Sequence, residues 1–249
     1  MAELSELDHE FASYAATEAG KLLLEIRNGN HELDAACPDL GTYGDLQSHE
    51  LLIKLISDQF PDDAILSEEE TDESSRLSKD RVWIIDPLDG TREYRIKDRS
   101  DWAVHVALSN NGIPEVGAVA LPSFGMTYST FRPPDTPSAS DTIRIIYSRT
   151  RSVPVAEFLS EELNGDLFRM GSAGAKTMAV VNGDADIYVH SGGQYEWDNC
   201  APVAVALASG IHASRLDGSP LRYNQKDLFV PDLLICRKDL ADPVLTLLG

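Results

Sequence analysis

The run Val82-Trp83-Ile84-Ile85-Asp86-Pro87-Leu88-Asp89-Gly90-Thr91 is an apolar stretch that ends abruptly in two turn-forming dipeptides, Asp-Pro and Asp-Gly. Val82 to Ile85 predicts a short strand. Two carboxylates then leave the carboxyl end of that strand, and the turn can direct both to one point. Left alone they would repel each other; a hard divalent cation removes the conflict. Two cations held by shared carboxylates make a phosphoryl-transfer site that activates a water and stabilises the leaving oxygen. Gly90 and Thr91 add backbone N–H groups at the turn, a suitable cradle for a phosphate.

Two further acidic clusters flank this one, Glu68-Glu69-Glu70 upstream and Glu196-Trp197-Asp198 downstream. Each has an ordinary explanation by itself: an acidic triplet as solvated loop, an Asp opening a helix as its cap, Asp-Pro and Asp-Gly as turn chemistry. Together they point to a metal-dependent site.

The 249 residues carry 21 Lys+Arg against 41 Asp+Glu, a formal charge of −20, with 43% hydrophobic residues. That length suits one large or two modest domains with a full core. The charge argues against binding a nucleic-acid polymer or an anionic membrane surface. An acidic protein that handles an anionic small molecule needs cations to reverse the local sign. Cys37, Cys200 and Cys236 are odd in number and far apart, which predicts reduced, mostly buried thiols in a cytoplasmic protein. Met1 to Glu10 is acidic and helical in character, unlike a leader. The longest apolar stretch, Ala201 to Ala208, is far short of the roughly 20 residues of a membrane span.

Working outward, Leu4, Leu7, Phe11, Tyr14, Leu22 and Ile26, with Glu18 as the one break, fall at helical spacing and predict one long amphipathic helix. A loop marked by Pro38, Gly41 and Gly44 follows, then a helix opening at Asp45 as its cap, with Leu52, Ile53, Ile56 and Phe60 buried. Trp102 to Leu108 and Glu115 to Leu121 read as a hairpin around Asn111-Gly112, and Met126 to Phe131 as a further strand. The segment Arg132-Pro133-Pro134-Asp135-Thr136-Pro137-Ser138 is the most linker-like and divides the chain into 1–135 and 136–249. Beyond it, strands at Ile143 to Tyr147, Leu167 to Met170, Ile187 to His190 and Leu233 to Cys236 alternate with helices at Val153 to Leu163, after Gly171, and at Trp197 to Ser209. Ile211 to Tyr223 reads as a hairpin around Asp217-Gly218. An α/β half behind an antiparallel-sheet half is the expected organisation.

The Trp83-to-Thr91 run, with Ser67-Glu68-Glu69 before it and Trp197-Asp198 after it, resembles the inositol monophosphatase superfamily of magnesium-dependent, lithium-sensitive phosphatases. The resemblance implies a layered αβαβα sandwich and two or three Mg2+ per active site. It implies that Glu68, Asp86 and the carbonyl of Leu88 hold one metal, and that Asp86 bridges to another held by Asp89 and Asp198. Thr91 and Asp45 resemble the pair that orients and deprotonates the attacking water, and the amides of Gly90 and Thr91 the phosphate cradle. Gly171, Ser172 and Ala173 match a substrate-binding turn, with Glu196 and Asp198 facing the leaving group. The family's Ser-Pro-Val-Thr-like segment before the aspartate is replaced here by Asp39-Leu40-Gly41-Thr42-Tyr43-Gly44.

Arg92-Glu93-Tyr94 after Gly90-Thr91 is similar to the Gly-Thr-Lys-Glu-Phe run of the bisphosphate nucleotidase branch, and Lys176 matches a lysine of that branch. The implied reaction removes the 3'-phosphate of 3'-phosphoadenosine 5'-phosphate, giving AMP, in sulfur assimilation. Lys176 would neutralise the second phosphate. A broader inositol-phosphate or fructose-1,6-bisphosphate phosphatase, and a non-catalytic metal-binding relative, are the alternatives. The family commonly forms dimers, so a homodimer acting on a small phosphorylated molecule is expected.

Overall fold

The computed structural model describes residues 4–29, 39–72, 74–139 and 141–249; Cys37 and Pro38 lie outside the described residues. Two helices, α1 (Glu6–Arg27) and α2 (Leu40–Gln59), precede a five-stranded sheet. Its order is β1 (Ala64–Ser67), β2 (Arg81–Asp89), β3 (Ala103–Asn110), β4 (Ile113–Leu121) and β5 (Met126–Ser129), with a one-turn helix α3 (Thr91–Tyr94) between β2 and β3. Only β1 and β2 run parallel; the other pairs are antiparallel. The hairpin at Asn111-Gly112 forms as expected, both residues having positive φ (53° and 78°).

The second half adds β6 (Arg144–Ser148), α4 (Pro154–Leu163), β7 (Asp166–Met170), α5 (Ala173–Val181), β8 (Ile187–Tyr195), α6 (Glu196–Ala208), β9 (His212–Ser214), β10 (Phe229–Cys236) and α7 (Lys238–Leu248). Its sheet runs β7-β6-β8-β10-β9, parallel on the β7-β6-β8 side and antiparallel beyond. Three cores stack the layers. Helices α1 and α2 cover one face of the first sheet through Phe11, Leu52, Trp83 and Val104. Helices α5 and α6 fill the space between the sheets, where Ile84 and Val119 meet Met178, Val203 and Leu233. Helices α4 and α7 close the outer face of the second sheet through Leu159, Ile187 and Val244. The result is the expected αβαβα sandwich. Because both faces of β3 are covered, every residue of it is buried, although its sequence suggests a half-buried strand.

Several expectations are corrected. Helix α2 begins at Leu40, not Asp45: the carboxylate of Asp39 caps it by accepting from the amides of Gly41 (2.9 Å) and Thr42 (3.2 Å). Gly41 and Gly44 mark close packing inside the helix instead of a loop. A Cβ on Gly44 would lie 2.9 Å from the Tyr94 ring. On α1 the buried face is Phe11, Ala12, Ala15, Ala16, Ala19, Leu23 and Ile26, while Leu7 and Tyr14 point outward. Small alanines let the helix lie close on the sheet, which outweighs burying the larger side chains. The arms of the expected 211–223 hairpin form no ladder beyond one bond from the Arg215 amide to the Ser219 carbonyl (2.9 Å). The turn forms, with Gly218 at φ 80°, but β9 joins β10, and the Tyr223 amide donates to Gly112 at the tip of the first sheet. The short elements β1, α3 and α7 carry too few residues, or in α7 an internal Pro243, to stand out in the sequence.

Candidate active site

The site grows from an interruption in β2. Asp86 pairs with His105, and the ladder resumes only at Asp89 opposite Ala103. Pro87 has no amide hydrogen, so the chain bulges there, and the carbonyl it exposes accepts the Ser48 hydroxyl of α2 at 2.8 Å. The bulge turns the Asp86 and Asp89 carboxylates toward the same side. His105 lies buried beneath them, Nδ1 3.9 Å from Asp86 Oδ2 and Nε2 3.2 Å from Asp89 Oδ2, while Nδ1 also meets the Trp197 carbonyl at 3.1 Å. Ligand atoms of Asp86, Asp89 and His105 all fall within 4.8 Å of one another.

Gly90 follows in the left-handed region (φ 90°), and its bare Cα sits against the Asp101 carbonyl and Trp102. It leads Thr91 into α3. The Thr91 hydroxyl lies 3.1 Å from the Leu88 carbonyl and 3.3 Å from Asp45 Oδ2. Asp45, buried in the second turn of α2, keeps its other oxygen without a partner among the described residues. From the opposite side, Ser172 caps α5 by accepting from the Ala175 amide (2.9 Å), and its hydroxyl donates to Asp89 Oδ2 at 2.5 Å. The Gly174 amide donates to the same oxygen at 2.8 Å. Asp198 stands in the first turn of α6, where its carboxylate accepts the Tyr195 amide at 2.6 Å.

These carboxylates are under electrostatic pressure. Burial, then like charge from Glu69 and Glu68, pushes Asp45 up to about 8. Desolvation at the cleft wall, then Asp198, Asp89 and Glu69, raises Glu68 to about 7 even though its side chain reaches solvent. Burial and Asp89 raise Asp198 to about 6. Asp86 is driven well above the usual range by burial, then Glu68, Asp89 and Asp198. Only Asp89 goes down: burial would raise it, but His105, Lys176 and Ser172 outweigh that. A carboxylate-rich cluster, with His105 beneath it, an orphaned carboxylate oxygen and too little countercharge, fits a hard divalent cation.

A cleft of about 430 Å3 opens over this cluster. Glu68, Asp89, Gly90 and Thr91 form one wall; Gly171, Ser172, Ala173, Lys176 and Asp198 form the other. Lys176 is buried, not a solvated helix residue. Its ammonium donates to the carbonyls of Gly171 (3.2 Å) and Ser172 (2.5 Å) and lies 5.2 Å from the centre of the Tyr188 ring. Burial draws it down to about 8. Glu196 requires a correction: it does not line the cleft. Its two oxygens accept the amides of Asn224 (2.6 Å) and Gln225 (2.7 Å), so the side chain is buried as a tie to the 224–225 segment.

Sequence reasoning passed over His105, Tyr188, His190, Arg151 and Gln194. The last four line the cleft, and His105 underlies it. Neither ring nitrogen of buried His190 makes a well-formed hydrogen bond among the described residues, and burial, then Lys176 and Arg151, outweighs a weak contact to the Gly192 backbone and pushes it down to about 4. The available signal was a histidine inside each of two apolar strands, at Ala103-Val104-His105-Val106 and Ile187-Tyr188-Val189-His190.

Comparison with known proteins adds four findings. A model of the inositol monophosphatase family matches residues 3–245. A 3'-phosphoadenosine 5'-phosphate phosphatase of Mycobacterium tuberculosis is 50% identical over 242 residues, covering 92% of this chain and 88% of that protein. Its counterpart in Mycobacterium leprae is 46% identical over 256 residues, covering 96% and 92%. Among solved structures, CysQ from Bacteroides thetaiotaomicron superposes with a TM-score of 0.80 at 26% identity, covering 94% of this chain and 98% of that one.

Proposed function

The chain belongs to the inositol monophosphatase family, and we propose that it hydrolyses the 3'-phosphate of 3'-phosphoadenosine 5'-phosphate to AMP and inorganic phosphate, using Mg2+. The observation that carries this reading is the cleft itself, which brings a crowded carboxylate cluster and a buried lysine together. The 50% identity to a phosphatase of that substrate supports it.

Glu68, Asp86, the Leu88 carbonyl, Asp89 and Asp198 would hold the magnesium ions, which supply positive charge to the phosphoryl oxygens and acidify water. The Gly90 and Thr91 amides would bind the scissile phosphate. Thr91 is a poor base alone. With Asp45 3.3 Å behind it, its hydroxyl can take the proton of an attacking water as it passes its own to the carboxylate. Cationic charge over Glu68 and Asp86 would offset the like-charge push on Asp45 and return it to the ionised, proton-accepting form. An ammonium has three protons, and two carbonyls take two of those on Lys176; the third remains for the nucleotide's other phosphate. Gly171, Ser172 and Ala173 would border that end.

Under the same proposal, residues 1–135 carry most metal ligands and residues 136–249 complete the metal and substrate sites, in a cytoplasmic homodimer. No helix among the described residues is long and apolar enough to cross a membrane, and Cys200 and Cys236 are separate buried thiols. Phosphate release from 3'-phosphoadenosine 5'-phosphate, inositol 1-phosphate and fructose 1,6-bisphosphate, with Mg2+ and with chelator, tests the reading. A kcat/KM highest for the nucleotide and lost in chelator is expected; preference for either sugar phosphate would overturn the assignment.

A further inference from the structure

Glu93 distinguishes the Gly-Thr-Arg-Glu-Tyr run, yet no role above uses it. It is buried beside the cleft, and its Oε1 receives Nη1 of Arg149 at 3.0 Å. The same nitrogen lies 2.7 Å from Asp101 Oδ2, and that oxygen also accepts the Gly171 amide at 2.6 Å. Glu93 and Asp101 belong to the first half of the chain, Arg149 and Gly171 to the second. The Arg149 amide donates to the Met170 carbonyl (3.1 Å), so backbone and side chain hold one short segment. Packing there is tight: a Cβ on Gly171 would collide with Glu93 Cδ.

Gly171 leads directly into the turn on which the cleft depends. Ser172 donates to Asp89, and the carbonyls of Gly171 and Ser172 orient the Lys176 ammonium. We propose that Arg149, clamped between Glu93 and Asp101, is a positioning residue that sets this turn, and Lys176 with it, against Asp89. The inference rests on the reading that the cleft takes a bisphosphate nucleotide. Without Arg149, Glu93 loses its ion-pair partner and Asp101 keeps only Arg99 (3.5 Å), so two buried carboxylates with less countercharge face each other beside Gly171. Without the Glu93 charge, the guanidinium keeps only Asp101. Both changes strike one unit, so their effects should not add.

The test compares wild type, Glu93→Gln, Arg149→Met, the double variant and Arg149→Lys, with Mg2+ saturating. Substrates are 3'-phosphoadenosine 5'-phosphate and 3'-AMP, which lacks the second phosphate. Amide hydrogen exchange over residues 170–176 supplies a readout that needs no turnover. Arg149→Met is expected to raise KM for the bisphosphate about ten- to thirtyfold, change kcat less than threefold, and raise KM for 3'-AMP far less. Exchange at the turn should quicken in parallel. Both contacts use one nitrogen, so Arg149→Lys should recover most of the loss. The double variant should be no worse than Arg149→Met alone.

A lowered melting temperature with wild-type KM and exchange would make the cluster a mere structural tie and overturn the proposal. So would a KM rise in Arg149→Met with no effect of Glu93→Gln, which would mean that Arg149 touches substrate directly. If Arg149→Met does not fold, Glu93→Gln decides, since its side-chain volume is kept: unchanged KM and exchange overturn the proposal. Wild-type protein that leaves the bisphosphate intact would instead refute the substrate reading, and the exchange data would still judge the clamp.

Discussion

The Thr91 hydroxyl lies 3.3 Å from Oδ2 of Asp45, a residue 46 positions earlier, and the second oxygen of that carboxylate is buried with no partner among the described residues. A buried acceptor in that state destabilises the fold unless something else uses it. In the proposed mechanism the ionised carboxylate is the proton acceptor behind Thr91.

Asp45→Asn should therefore keep the fold and lose the chemistry. An amide of the same shape cannot accept the proton, so kcat should fall about 10²- to 10⁴-fold while the melting temperature holds or rises. Turnover under saturating Mg2+, together with a thermal melt, checks this. A folded variant with near wild-type kcat would remove Asp45 from the mechanism.

Stability of the metal-free protein should fall as pH rises from 6.5 to 8. Asp45, Glu68 and Glu196 have folded-state values of about 8, 7 and 7, above those of the unfolded chain. The native state thus binds more protons than the unfolded state through this window, and unfolding free energy declines with pH. His190, pushed down to about 4, acts with the opposite sign below about pH 6.5, and Lys176, drawn down to about 8, opposes the three carboxylates only near the top of the window. Melting temperatures in chelator at pH 6.5 and 8.0 test the sign, and added Mg2+ should erase most of the difference. A melting temperature that rises with pH in chelator would contradict the electrostatic account.

Gly174→Ala should disturb the metal end of the cleft. The added Cβ would collide with His105 Nε2, on a ring already bounded by Asp89 and the Trp197 carbonyl. Overpacking of this kind costs about 1–3 kcal/mol. In a chain of this size that lowers the melting temperature by roughly 2–12 °C, at about 2–4 °C per kcal/mol. The Gly174 amide should also retreat from Asp89, so the Mg2+ concentration for half-activation should rise. Unchanged stability and activation would mean that α5 shifts freely there.

Lys176→Ala should raise KM for 3'-phosphoadenosine 5'-phosphate roughly ten- to a hundredfold, the cost of about 1.5–3 kcal/mol for a charge-assisted contact. A substrate with one phosphate should be far less affected, and kcat should change little. Equal penalties on both substrates would assign Lys176 to holding the Gly171–Ser172 carbonyls alone.

Local chemistry made much of this legible in advance. Asp89-Gly90 announces a strand end, Asn111-Gly112 a hairpin, and alternating strands and helices the α/β half, because turns and periodicity depend on neighbours in the chain; β2, expected to stop at Asp86-Pro87, instead bulges there and runs on to Asp89. The family resemblance, not spacing alone, singled out Glu68, Asp89, Gly90, Thr91, Lys176 and Asp198, which meet in the cleft. Other features were fixed only by packing between distant segments. Gly41 and Gly44 looked like loop, but partners on α3 make them helical contact points. Glu196 sits beside Asp198 in sequence, yet its direction on α6 sends it to the amides of Asn224 and Gln225. His105 and the pairing of Glu93 and Asp101 with Arg149 have no local signature, since each forms where strands or halves meet across tens of residues. Sequence by itself determined which carboxylates could meet and what chemistry they suit. Tertiary structure decided which of them face the cleft, what holds them there and how far burial shifts their protons, because desolvation and cross-chain hydrogen bonds exist only once the layers have packed.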